Sequence, residues 1–234
     1  MKKGTFHLGT LHPAKMKRPL FQMRWVGVWM AAILAGVAAS AADEPAISSL
    51  DYWPHEPGTT WVYTDEQGRQ EVMRVAGQER LDDEMVTVVE RTRSDEATAI
   101  RLYYAVREGQ VRLMAQHIGA TQHRISVPLV VWPATVALGT RWRSVPGNEH
   151  SPEQGIERRE QISVPAGTYE ALVISSHAGQ GQAQFTVTQW RVRGVGLVRR
   201  VTERPDGSRQ TTELVRYEPR PVSNRDDQGP QTPH

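Results

Sequence analysis

The chain has 234 residues with 28 Lys and Arg, 26 Asp and Glu and no Cys, and its sequence isoelectric point is about 9.0. The lack of cysteine excludes a disulfide scaffold, a thiol nucleophile and a Cys-ligated metal. The basic balance is local: Lys2, Lys3, Lys15, Lys17, Arg18 and Arg24 precede residue 42 with no acid among them, leaving 22 arginines, no lysine and 26 acids in a mildly acidic remainder that argues against nucleic-acid binding.

After Arg24 the uncharged run WVGVWMAAILAGVAASAA extends to Ala42 and contains the small-residue site Ala39-Ser40-Ala41. A basic region, an apolar segment and such a site predict a signal peptide over 1–41, an N-terminal signal helix cut after Ala41, and so a periplasmic or secreted protein. Translation from Met16 instead of Met1 gives a leader of ordinary length. The alternative is an uncleaved leader that anchors the chain to the membrane by its N-terminus, because about 18 apolar residues reach the lower limit of spanning length. Residues 42–49 read as a linker, 50–219 as one antiparallel β domain, and 220–234, polar and rich in proline, as a disordered tail.

Within the domain no apolar period of 3.6 residues lasts three turns; alternation and turn signals dominate. TTWVYT, RQEVMRVA and EMVTVVERT are the first strands. TAIRLYYAVREGQVRLMAQH is a hairpin about Glu108-Gly109, with Ile100, Leu102, Tyr104 and Val106 on the face that Val111, Leu113 and Ala115 rejoin. HRISVPLVVW and GTRWRSV follow, then a polar loop over 146–157. EQISVPAGTYEALVI turns at Pro165-Ala166, with Gly167 as a left-handed residue and Val164 opposite Tyr169. AQFTVTQWRV changes phase between Val187 and Trp190, which predicts a bulge near Thr188 or Gln189. In GLVRRVTERPDGSRQTTELVRY a two-residue Asp206-Gly207 turn places Val198 opposite Val215 and Arg200 opposite Glu213. The expected fold is all-β: a single curved antiparallel sheet of about ten strands forming a half-open barrel or sandwich.

Catalytic signatures are lacking: there is no Gly-x-Ser-x-Gly elbow, His-Glu-x-x-His pair, phosphate-binding glycine loop or Ser-x-x-Lys. Ser175-Ser176-His177 sets hydroxyls beside an imidazole, but neighbours on a strand point to opposite faces. His117 and His123 face each other if Gly119-Ala120-Thr121 is a three-residue loop, with no third metal ligand in sight. Asp82-Asp83-Glu84 reads as a solvated turn, lacking calcium-loop spacing. The arginines near 191–200 can clamp anions, although a GC-rich genome produces the same Arg-for-Lys bias. No cofactor and no metal are expected. Beyond the leader the tryptophans are Trp53, Trp61, Trp132, Trp142 and Trp190. They are either core or the lining of an apolar concavity, with Trp61, Trp132, Trp142 and Trp190 as the candidate ligand-binding residues.

Five segments, YWPHEPGTTWVY (52–63), PATVALGTRWRS (133–144), VPAGTYEALVI (164–174), QWRVRGVGLVRR (189–200) and ELVRY (213–217), carry a pattern in which their order matters more than any one motif. In this the chain resembles an uncharacterised exported bacterial all-β domain family, with its Gly-x-x-Trp-x-Tyr opening, Val-Pro-Ala-Gly-Thr turn and Gly-Val-Gly-Leu-Val strand. The family is distantly similar to the half-barrels that carry lipoproteins across the periplasm. The resemblance implies a curved antiparallel sheet and no catalytic residues. It departs from the carriers in lacking the helices that close their cavities.

These readings lead to an exported, non-enzymatic cell-envelope domain that binds an apolar or amphiphilic ligand in a Trp-lined concavity, its partner an amphiphile or an envelope protein. It would touch the membrane only through an uncleaved leader. A structural or partner-binding module using a sheet edge, with no ligand cavity, and a hydrolase built on Ser176 or His177 without a recognisable motif, are the alternatives.

Overall fold

The computed structural model describes residues 48–148, 150–178 and 185–220; the predicted leader with its cleavage site, most of the linker and the tail from 221 onward lie outside the described residues. A 3₁₀ turn, Ser49–Tyr52, precedes twelve strands: β1 (Thr60–Asp65), β2 (Gln70–Leu81), β3 (Glu84–Arg93), β4 (Ile100–Arg107), β5 (Gln110–Ile118), β6 (Thr121–Trp132), β7 (Arg141–Arg143), β8 (Glu153–Val164), β9 (Gly167–Ala178), β10 (Phe185–Val192), β11 (Gly196–Glu203) and β12 (Arg209–Glu218). All pair antiparallel in one nearly closed, barrel-shaped sheet of order β6-β5-β4-β3-β2-β1-β12-β11-β10-β9-β8-β7. Among the described residues no helix is long and apolar enough to cross a membrane.

Two six-stranded meanders therefore meet where β1 lies beside β12, Thr60 facing Glu218 and Trp61 facing Tyr217. The free edges, β6 and β7, come together at a seam. There the Val130 N–H donates to the Ser144 carbonyl at 2.8 Å, and the rings of Trp132 and Trp142 meet edge to face with centroids 6.0 Å apart. Trp132 is 1% exposed and its indole N–H donates to the Ser49 carbonyl at 2.7 Å, so the 3₁₀ turn is fastened to the seam. Closure leaves little edge for strand addition. What remains of β6, Thr121 to Val127, carries Arg124 and is followed by Pro128, two features that discourage pairing with another chain.

The β4–β5 hairpin turns as the sequence predicts, with Arg107 opposite Gln110 and positive φ at Glu108 (52°) and Gly109 (74°), the requirement of a type I′ turn. Other registers differ from expectation. At β11–β12 only Gly207 has positive φ. Pro205, whose ring fixes φ, opens a three-residue turn over 205–207, so Arg199, not Arg200, faces Glu213. At β8–β9 Gly167 already pairs with Val164, so Ile162, not Val164, faces Tyr169. The polar loop expected over 146–157 ends where β8 begins at Glu153. A bulge between Tyr103 and Tyr104 moves Ala115 off the Tyr104 face and opposite Tyr103.

The phase change in β10 has a different origin from a bulge in that strand. Its pairing to β9 is regular from Phe185 to Arg191, and the irregularity sits in β11, opposite Trp190 and Arg191. Phe185 at the start of β10 is exposed, whereas at the end both faces pack, Trp190 and Val192 on one and Arg191 on the other. The tip of the β8–β9 hairpin reaches β12, where the Ala166 N–H donates to the Leu214 carbonyl at 3.0 Å, and Arg199 donates to the Ser163 carbonyl at 3.0 Å. Trp190 is buried beneath that crossing. A second small core, Val86, Val88, Tyr103, Ala105 and Ala115, lies apart from the main cluster. Nearby, Arg124 on β6 forms an ion pair with Asp82 of the β2–β3 turn.

Candidate functional site

Residues 49–54 act as a stopper for the barrel. The Ser49 hydroxyl donates to the Gly109 carbonyl at 3.0 Å, Gly194 N–H donates to the Asp51 carbonyl at 2.7 Å, and the Asp51 carboxylate accepts from Arg193 at 2.9 Å. Tyr52 packs on Trp132, and Trp53 meets Tyr104 edge to face at 5.3 Å. Beneath this segment a cavity of about 70 Å³ is walled by Trp53, Trp61, Tyr63, Met73, Tyr104 and Arg191, completed by Pro54, Val89, Gly196 and Leu197. Apart from Trp53 and Pro54, these residues come from β1–β4 and from β10–β11.

Two polar groups in this wall are already engaged: the Trp61 indole N–H donates to the Val195 carbonyl at 2.6 Å and the Tyr63 hydroxyl to the Leu197 carbonyl at 3.0 Å. Three are not, and the Trp53 indole N–H is one of them, without a hydrogen-bond partner among the described residues. The Tyr104 hydroxyl has no hydrogen-bond partner among the described residues; burial pushes its pKa up to about 12, and the Arg191 charge pulls the other way. Arg191 donates only from Nε, to Gln189 Oε1 at 3.3 Å, and its terminal nitrogens have neither a carboxylate nor any other acceptor among the described residues. Its guanidinium lies over the rings of Trp53 (4.6 Å) and Trp132 (5.1 Å).

Burial lowers the Arg191 pKa to about 10, with the Tyr63 and Tyr104 phenols opposing the shift. The group stays charged at neutral pH, at a cost of about 3 kcal/mol relative to an unperturbed arginine. Tyr63 is pushed upward by burial as well. A single uncompensated cation in an aromatic cavity is the principal electrostatic feature of this site.

Of the four tryptophans singled out from the sequence, Trp61 lines the cavity. Trp132 stands just behind it, under Arg191 and against the seam. Trp142 packs on the far side of Trp132, its indole nitrogen buried without a partner. Trp190 donates to Glu160 at 2.6 Å, is covered by Arg199, and does not line the cavity. Trp53, Tyr104 and Arg191 do line it and were not in that set. Tyr104 carried the signal of an alternating apolar face. Arg191 stood out only as one of the arginines near 191–200 that can clamp anions, because a charge next to the apolar Trp190 and Val192 reads as the solvent-facing partner in a half-buried strand.

The other candidate clusters do not assemble. Ser176 is buried on the face opposite Ser175 and His177; the Ser175 hydroxyl donates to Glu157 at 2.6 Å, while His177 Nδ1 bonds Thr186 at 3.2 Å. Gly119-Ala120 is a two-residue turn, so His123 faces Gln116 and His117 faces Gln122. The His117 ring bonds the Tyr103 hydroxyl at 3.2 Å. Among the described residues no group of three His, Asp or Glu could hold a metal ion. Asp82, Asp83 and Glu84 pair with Arg124, Arg80 and Arg107 respectively.

Gly196 borders the cavity with φ of 89°, and a Cβ there would lie 3.2 Å from Pro54 Cδ and 3.8 Å from Trp61 Nε1. Gly196→Ala is expected to destabilise the fold by about 1–2 kcal/mol through backbone strain alone. It should also press Pro54 outward, and a denaturant titration alongside ligand titration checks both effects.

No protein-family model matches the chain, and no curated protein matches it. Two solved structures are similar to it. One is the crystal structure of a presumed exported protein with a YmcC-like fold from Bacteroides fragilis: 14% identity, 70% of this chain and 97% of that chain covered, TM-score 0.47. The other is that of a presumed lipoprotein from Parabacteroides distasonis: 16% identity, 71% and 98% covered, TM-score 0.36.

Proposed function

We propose that the chain is an exported, non-enzymatic cell-envelope domain that holds a small apolar or amphiphilic ligand in the cavity beneath residues 49–54. The observation that carries this reading is the cavity itself, whose wall is mainly aromatic and aliphatic and includes one charged side chain. Export rests on the leader pattern of residues 1–41. Size limits the ligand. A buried water needs roughly 10–15 Å³, so about 70 Å³ accommodates on the order of five water-sized groups. That suits a short apolar group and is too small for the full acyl chains of a lipoprotein.

The test is a titration of the domain with pentan-1-ol, followed by the indole N–H resonances. Those of Trp53 and Trp61 should shift together and saturate, while that of Trp190, covered by Arg199, should stay in place. If no indole moves at millimolar concentrations of this alcohol or of acid and amide analogues of the same length, the cavity is not a ligand site.

A further inference from the structure

The guanidinium of Arg191 presents an unusual balance. Its two close neighbours are aromatic faces, at 4.6 and 5.1 Å, which attract a cation but accept no conventional hydrogen bond. Its one acceptor among the described residues is a neutral amide oxygen on the same strand, at 3.3 Å from Nε. Elsewhere in the domain arginines do find carboxylates: Arg69 pairs with Asp65 at 2.7 Å, Arg193 with Asp51 at 2.9 Å, and Arg200 with Glu71 at 3.8 Å. A half-buried cation without a counter-charge carries a desolvation cost that a bound anion would offset. The cavity wall contains no acid to do so.

Three properties define what would. The charge to be matched is a single positive one, which favours a monoanion over a dianionic phosphate. The donors that remain include the two terminal nitrogens of a planar fork, which match the two oxygens of a carboxylate, and the Tyr104 hydroxyl and the Trp53 indole N–H, whose rings line the same wall. The rest of the wall, Trp53, Trp61, Met73 and Val89, is apolar and allows a stem of only a few carbons before the mouth. We infer that the cavity takes a carboxylate on a short apolar stem, its oxygens accepting from the terminal N–H groups of Arg191 and from the Tyr104 hydroxyl.

This rests on the reading of the cavity as a ligand site and narrows it to one chemical class. Two sources share that chemistry: a free short-chain acid, and the carboxyl end of a longer acyl chain whose remainder leaves through the opening of the cavity.

The experiment compares pentanoate, pentanamide and pentan-1-ol by calorimetry and by the Trp53 and Trp61 indole resonances, on the wild type and on Arg191→Met and Arg191→Lys. Pentanoate should bind at least about tenfold more tightly than either neutral analogue. That preference should vanish in Arg191→Met and shrink in Arg191→Lys, which keeps the charge without the fork. Thermal melts of both variants establish that they fold. A series from propanoate to dodecanoate separates the sources: affinity that peaks near pentanoate and then falls marks a free short acid, and affinity that holds through dodecanoate marks an acyl chain passing out of the mouth. Equal binding of pentanoate and pentan-1-ol, or pentanoate binding retained in Arg191→Met, overturns the inference while leaving the apolar site intact. If none of the three compounds binds, the reading of the cavity falls with it.

Discussion

Arg191→Met is expected to raise the melting temperature of the ligand-free domain by about 3–6 °C. The guanidinium costs about 3 kcal/mol where it sits, from its lowered pKa. Its contacts with Trp53 and Trp132 return on the order of 1 kcal/mol between them beyond what a methionine gains against the same rings. Substitution leaves no carboxylate orphaned, because none pairs with Arg191, so the usual penalty for breaking a buried ion pair does not apply. The net gain of about 1–2 kcal/mol corresponds to a few degrees in a domain of roughly 170 residues. The sign has a pH signature. Arg191 titrates near 10 in the folded chain and near its ordinary value in the unfolded one. Its cost is thus fully present below pH 10 and is relieved as the pH climbs above it. The advantage of the methionine variant should therefore fade above pH 10, where the buried Tyr63 and Tyr104 phenols, pushed well upward, stay protonated in both folded proteins. A melting temperature that falls by several degrees would instead make Arg191 a structural staple between the stopper and the barrel wall.

Trp132→Ala should have the opposite and larger effect, a loss of about 3–5 kcal/mol and about 10–15 °C. Trp132 is 1% exposed, and its ring touches Tyr52 and Trp142, both with centroids at 6.0 Å. Removing the indole deletes that packing and strips the Ser49 carbonyl of its donor. Because Trp132 fastens both the 3₁₀ turn and the seam, damage should concentrate there. Amide exchange at Val130 should accelerate more than exchange at Val88, which lies in the separate second core. Trp132→Phe keeps most of the volume and should cost about 1–2 kcal/mol, chiefly through the lost N–H. Uniform acceleration at both amides would mean that the seam is no weaker than the rest of the sheet.

Much of this fold can be read from local rules, and the exceptions have specific causes. The β4–β5 turn was legible because Glu108-Gly109 supplies a residue that tolerates positive φ between two alternating runs. The β11–β12 register was not, because Asp206-Gly207 carries the signal of a two-residue turn while Pro205 one position earlier dictates a longer one. Alternation also presumes that one face of each strand is wet. That fails for the end of β10, packed on both sides, and it is the reason Trp190 appeared to share a role with Trp61 although the two serve different faces. The cavity position of Arg191 was hidden by the same assumption. The stopper formed by residues 49–54 was equally opaque, since its role depends on carbonyls of Ser49 and Asp51 meeting residues 83 and 143 positions away. A sequence pattern registers neighbours in the chain, and this site is built from residues that are neighbours only after the barrel closes.

The joint between β1 and β12 has a consequence for how the chain is made. Every other paired strand lies next to its partner in the order of synthesis, so each hairpin can form soon after its second strand appears. The first strand, with Trp61 and Tyr63, has β2 on one side but must wait for the last strand to cover the other. Until Arg209 to Glu218 have emerged, an apolar edge near the N-terminus stays unpaired for most of the chain's production. A chain interrupted before that point would keep the edge open, exposed to whatever holds or degrades unfinished proteins in its compartment.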